Sequence, residues 1–172
     1  NPNKAAVNNV TPLFMAAERG HVECVKLLLN AGADKDYRTR GGNSPLYFAV
    51  SRGHDRIVKL LLDDGAWPNF KNDKGDTPLG RAVSTDNDKI VEMLLKRDAK
   101  INQLYGPSND RETPLMRAVI DRSDQIVKIL LENGADPDIA DNNGDTPLDY
   151  AVTYYDEEND ITSFKMLLEY DA

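Results

Sequence analysis

Apolar and polar positions follow one another along this chain in a pattern that recurs five times. Thr11-Pro12-Leu13, Ser44-Pro45-Leu46, Thr77-Pro78-Leu79, Thr113-Pro114-Leu115 and Thr146-Pro147-Leu148 start at intervals of 33, 33, 36 and 33 residues. Sixteen residues after each of the first four starts stand Leu27-Leu28-Leu29, Leu60-Leu61-Leu62, Met93-Leu94-Leu95 and Ile129-Leu130-Leu131. In the fifth unit the gap to Met166-Leu167-Leu168 is twenty, which places a four-residue insertion within Tyr155 to Asp160. A further three residues enter near Tyr105 to Asp110. Self-similarity at such a period is the signature of a stacked repeat architecture.

Each unit reads as two short helices and a turn. Thr or Ser is a good N-cap, because its hydroxyl accepts a hydrogen bond from an otherwise unpaired backbone N–H. Proline directly after it takes the first helical position, where its missing N–H costs nothing. Small residues such as Ala16-Ala17 and Ala49-Val50 then let neighbouring helices come close. The second helix shows helical spacing in Val22, Val25, Leu28 and Leu29. Gly32, Gly65 and Gly134 are placed to end it as left-handed C-caps. Polar segments such as Asn72-Asp73-Lys74-Gly75-Asp76 turn the chain into the next unit.

With these residues in view the chain resembles the ankyrin repeat family. The match rests on Thr-Pro-Leu or Ser-Pro-Leu in all five units, Gly20-His21 and Gly53-His54, Val25-Lys26-Leu27-Leu28-Leu29, Gly32-Ala33-Asp34 and Gly134-Ala135-Asp136. The resemblance implies an all-α solenoid of stacked helix-turn-helix units joined by β-turn or hairpin connections. It implies one domain over 1–172, with repeats near 6–38, 39–71, 72–107, 108–140 and 141–172. Asn1-Pro2-Asn3 and Asp171-Ala172 fall at the same point of the repeat cycle, so an excerpt of a longer array or protein is expected.

The chain departs from the family pattern at one slot in every unit. Where the family carries His after Thr-Pro-Leu, this chain has Phe14, Tyr47, Gly80, Met116 and Asp149, so the polar link between neighbours is in question. The third unit is weakest by local rules: Gly80 lies inside a helix, Asp86-Asn87 replaces Gly-His, and Asp98 replaces the terminating glycine. Glycine in a helix interior costs about 1 kcal/mol against alanine. The middle of the stack is therefore expected to be least stable, and Gly80→His to raise the unfolding midpoint.

Composition narrows the function. The 172 residues carry a formal net charge of −8, with 40% hydrophobic and 29% charged residues, as a globular chain does. The negative total disfavours nucleic acid as a partner, and no apolar run reaches the length of a membrane span. A single cysteine excludes an intrachain disulfide framework and suits a reducing, cytoplasmic compartment, with nuclear or host-cell delivery left open. Cys24 falls at a helix position that reads as buried packing. His21 and His54 sit in the structural Gly-His turn, and Asp141 to Asp145 lack the spacing of a calcium loop. No nucleophile–base or metal constellation emerges, so no catalysis and no cofactor are expected.

What remains is a binding surface. The resemblance implies that partners meet a concave face of turn tips and exposed first-helix positions. Tip slots hold Arg40, Gly41 and Asn43, then Asp73, Lys74 and Asp76, then Asn109, Asp110 and Glu112, then Asn142, Asn143 and Asp145. The slot before each tip holds Arg38, Lys71, Leu104 and Ala140; Arg52 occupies a helix slot. Segments 1–37, 38–70, 71–106, 107–139 and 140–172 carry 0, +2, +1, −3 and −8. Arg38, Arg40, Arg52, Lys71, Lys74 and Arg81 thus crowd the first three units, either as a solvated face or as a basic half-groove for an acidic peptide. Tyr37, Trp67 and Phe70 are either aromatic anchors beside it or fillers between turns. The expected function is that of a monomeric protein-binding scaffold. A regulatory or targeting domain of a larger enzyme, channel or effector is the alternative, as is small-molecule or nucleic-acid binding through the same aromatic and basic cluster.

Overall fold

The computed structural model describes residues 1–107, 111–154 and 161–170. Among them are ten α-helices and no strand, with only an isolated antiparallel bridge between Tyr105 and Glu112. The helices come in five pairs: α1 (Pro12–Arg19) with α2 (Val22–Asn30), α3 (Pro45–Ser51) with α4 (Asp55–Asp63), α5 (Pro78–Ser84) with α6 (Asp88–Leu95), α7 (Pro114–Ile120) with α8 (Asp124–Glu132), and α9 (Pro147–Thr153) with α10 (Thr162–Tyr170). First helices pack on first helices and second on second, each pair against the next. The result is an all-α repeat solenoid. The insertion expected within Tyr155 to Asp160 lies outside the described residues.

The caps form as the sequence dictates. Thr11, Ser44, Thr77, Thr113 and Thr146 accept backbone N–H bonds from Phe14, Tyr47, Gly80, Met116 and Asp149. Gly32, Gly65 and Gly134 take φ of 78°, 85° and 86°, the left-handed conformation that glycine adopts without a Cβ penalty. The apolar stripes meet in one continuous core. Ile57, Ile90 and Ile126, which occupy one slot of successive repeats, are 0%, 0% and 1% exposed.

Cys24 occupies that same slot in the first repeat, and here the expectation of burial is wrong. Its thiol is exposed, because among the described residues no preceding second helix lies over it. Position within the repeat defines a core slot; a neighbour on that side makes it core. Leu27, Val152 and Leu168 are exposed for the same reason, at the two outermost pairs.

The structure also overturns the expectation for Gly80. A Cβ built there would lie 2.5 Å from the Tyr105 ring, and Tyr105 is itself buried. The aromatic ring from the next connection fills the space that a larger side chain would need. Asn87 also compensates its departure: its side chain accepts the Ile90 N–H at 3.1 Å and caps α6, which His21 and His54 do not do for their helices. Elsewhere in the variable slot other contacts join neighbours. Phe14 meets Phe48 edge-on with centroids 4.7 Å apart, and the Tyr47 hydroxyl donates to Asp76 Oδ2 at 3.2 Å. His54 Nε2 lies 3.1 Å from the Glu18 carbonyl of the preceding repeat.

Two stability outcomes follow. Gly80→Ala or Gly80→His lowers unfolding free energy by about 1–3 kcal/mol, the cost of overpacking a filled site; a raised midpoint in denaturant titration would contradict the Tyr105 contact. Asp98, by contrast, keeps φ of 62° without being glycine. Asp98→Gly relieves a left-handed strain of roughly 1 kcal/mol, and a higher denaturation midpoint is the expected reading.

Candidate functional site

The connections between repeats are tight turns, and their first residues explain why. Thr39, Asn72 and Asp141 share one slot. Asn72 Oδ1 accepts the N–H groups of Lys74 and Asp76, both at 2.9 Å. Asp141 Oδ1 accepts those of Asn143 and Asp145 at 2.8 and 2.9 Å. Thr39 does the same more weakly toward Asn43, at 3.3 Å. The backbone closes each turn, from Asn72 N to Asp76 O at 3.0 Å and from Asp141 N to Asp145 O at 2.9 Å.

Successive turns are bonded to one another. Arg40 N donates to Asn8 O at 2.9 Å, Asp73 N to Gly41 O at 3.1 Å, and Gly106 N to Gly75 O at 3.2 Å. The approach is so close that a Cβ on Gly75 would stand 2.3 Å from the Gly106 oxygen. Only glycine fits. The tips of the first three repeats therefore form one rigid row rather than separate loops. At the foot of the connections runs a second ladder. Asn3, Asp36, Asn69 and Asn102 accept the backbone N–H of Asp34, Trp67, Lys100 and Asp136 at 2.7, 3.0, 2.8 and 3.0 Å.

On this frame the expected basic half-groove separates into two groups. Arg38 lies over the Phe70 ring, 4.9 Å from its centroid, and with Tyr37 and Arg40 lines a shallow depression at the tips that Asp73 also borders. Arg38, Arg40 and Lys74 are exposed and form no ion pair among the described residues. The other cations are already engaged. Arg52 meets Glu18 at 3.2 Å, Arg81 Nε donates to Ser51 Oγ at 3.1 Å, and Lys71 Nζ donates to the Leu104 carbonyl at 2.7 Å. Burial, then the nearby Arg111 and Lys100 charges, hold the Lys71 ammonium below its ordinary pKa.

Asn43 is engaged too, accepting from Asn72 Nδ2 at 2.9 Å, while Asn72 also reaches Asp76 Oδ2 at 3.1 Å. Burial and the Asp76 charge push the Tyr47 phenol up to about 12. Trp67 stands apart from the tip depression, at the foot just after α4, half exposed. Among the acidic tips, Glu112 is buried and paired with Arg117 at 2.6 Å; Asn109 and Asp110 lie outside the described residues. Sequence reading missed the tip-to-tip bonds and the foot ladder. The latter had a signal, a side-chain amide or carboxylate at 3, 36, 69 and 102.

Among the described residues no group of three His, Cys, Asp or Glu side chains could hold a metal, and no helix is long and apolar enough to cross a membrane. The arrangement offers contact and charge. Descriptions of known families match the chain: ankyrin repeats in three copies over residues 1–72 and 42–105, and ankyrin repeats in many copies over residues 103–151. No curated protein matches it.

The turns carry one pH-dependent outcome. Burial works to raise the Asp141 pKa, but bonds from Asp145, Tyr150 and Asn143 outweigh it and hold the carboxyl below its ordinary value. A lowered folded pKa contributes stability above the unfolded value of about 3.9 and loses it as pH falls through the folded value. Asn72 makes the same turn without titrating, so Asp141→Asn flattens this acid dependence while keeping the turn. Denaturant midpoints of both proteins between neutral and acid pH measure it.

Proposed function

Because the chain belongs to the ankyrin repeat family, whose repeats are generally protein–protein interaction modules, we propose that it is a monomeric binding scaffold for an acidic peptide or protein segment. The partner lies along the turn tips of the first three repeats, and this segment performs no catalysis. One observation carries the reading: a row of turns bonded backbone to backbone presents Arg38, Arg40 and Lys74 without an ion-pair partner among the described residues. A preorganised row loses little conformational entropy on binding. Cations left unpaired retain their full attraction for an acidic partner, which raises the rate of encounter. Arg38 on Phe70 supplies aromatic area of the kind enriched in binding hot spots; Trp67, at the foot of the connection, lies away from this row. The acidic last segment, 140–172 at −8, repels the same partner and so sets its position along the array.

Peptides selected from a random library against the folded chain test this. Acidic sequences are expected to be enriched. Arg40→Glu with Lys74→Glu slows their association by on the order of tenfold at low salt, an effect that fades as salt screens it. Phe70→Ala, which removes the ring beneath Arg38, weakens binding by about 1–3 kcal/mol. Surface plasmon resonance on these variants, each shown folded by circular dichroism, reads both effects. Affinity lost on altering Asp145 but not on altering Arg40, Lys74 or Phe70 would place the site in the acidic half and reject this reading.

A further inference from the structure

The row of second helices carries a different surface. Between α4 and α6 lies a depression of about 530 Å3, with Arg56, Lys59, Lys89, Lys96 and Arg97 against Asp55 and Asp63. Its floor is apolar, made by Leu62, almost fully buried, and by Met93, which packs on the core. On the other side of α4 a second depression of about 440 Å3 is lined by Val22 and Leu60, and both depressions share Arg56, Lys59 and Asp63.

The charges around these depressions divide unevenly. Lys89 meets Asp55 at 2.8 Å, Lys96 meets Glu92 at 2.9 Å, and Arg97 meets Asp63. Lys26, beside the second depression, meets Glu23 at 2.8 Å. The acids are thereby used. Arg56 and Lys59 remain exposed and without an ion pair among the described residues. They are spaced i and i+3 on α4, so they stand side by side on the ridge between the two depressions. Two adjacent like charges repel until an anion settles between them.

We propose that the α4 ridge and its flanking depressions form a second docking surface, separate from the turn tips, for an acidic amphipathic segment of a partner protein. Its carboxylates meet Arg56 and Lys59, and its apolar side chains rest over Leu60, Leu62 and Met93. A protein segment fits better than nucleic acid or an anionic membrane for two reasons. A phosphate at every step would put most of its charge away from the two unpaired cations, whereas a protein segment can place a few carboxylates at Arg56 and Lys59 alone. The apolar floor, moreover, offers a phosphate backbone nothing, whereas apolar side chains gain by leaving water against it.

The test uses a short labelled peptide with leucines at i, i+3, i+4 and i+7 and glutamates between them, the spacing of a helix laid in a groove. Fluorescence anisotropy is expected to show it binding the chain. The same peptide with glutamines binds at least tenfold more weakly, as does the Glu peptide toward the Arg56→Glu/Lys59→Glu variant. Both replaced side chains are exposed and unpaired in this sense, so the variant keeps its fold by circular dichroism. Amide shifts induced in the wild-type chain fall on α4 and α6. Absence of binding overturns the proposal, as does equal binding to the double variant or tighter binding of a labelled DNA strand or phosphatidylserine vesicles. Binding lost with Arg40→Glu but kept in the double variant also overturns it while leaving the turn-tip reading standing.

Discussion

A pair of helices of seven to nine residues each cannot hide its own apolar stripe, and everything else in this structure answers to that. Ile57, Ile90 and Ile126 are almost wholly buried because a further helix pair lies on each side of theirs. Where that second neighbour is missing from the described residues, the slots facing it open: Cys24, at the position of Ile57, is exposed, and Val152, at the position of the buried Val119, is 59% exposed. Helices this short are marginal alone. Their stability is therefore a sum of junctions between neighbours rather than a property of any single repeat. The caps, the small residues of the first helices and the bonded turns all serve to make those junctions close.

Junctions tolerate change in identity provided that contact survives. In the slot after the conserved-looking leucine, the second repeat crosses to the third by a Tyr47–Asp76 hydrogen bond, and the first meets the second by a Phe14–Phe48 ring contact. The third slot, Gly80, contributes no side chain, and Tyr105 supplies the missing volume from outside it. Met116 and Asp149 turn inward to cap their own helices instead, each within bonding distance of the N–H of Thr113 or Thr146. What is held constant is filled space and satisfied polar groups, since a void or an unpaired donor at a junction costs a kilocalorie or more.

That distinction explains what could be read from residues alone. Period, caps and left-handed glycines depend on neighbours in sequence, so the helix pairs and their ends were legible before any coordinate. Gly80 and Tyr105 stand 25 residues apart, and no local rule couples a helix glycine to a ring in the following connection. Cys24 failed differently: its slot was read correctly as a core slot, but burial depends on which repeats flank it. The foot ladder through Asn3, Asp36, Asn69 and Asn102 was in plain view at an even spacing. It passed unread because attention to helix starts leaves the turn feet unexamined.

Charge shows the limit of counting most clearly. Six basic residues crowd the first three repeats by sequence, yet three of them are spent on Glu18, Ser51 and the Leu104 carbonyl. A cation already paired inside the molecule must give up that partner before it can meet another, and the exchange gains little. The other three, Arg38, Arg40 and Lys74 at the tips, and also Arg56 with Lys59 on α4, have no ion pair among the described residues and offer an approaching acid uncompensated attraction. The chain is negative overall, and its deficit sits almost wholly in the last segment. On the reading proposed above, an acidic partner is drawn to one end of the array and turned away from the other. Orientation along the solenoid then comes from the gradient of charge between repeats, before any side chain has been matched to its pocket.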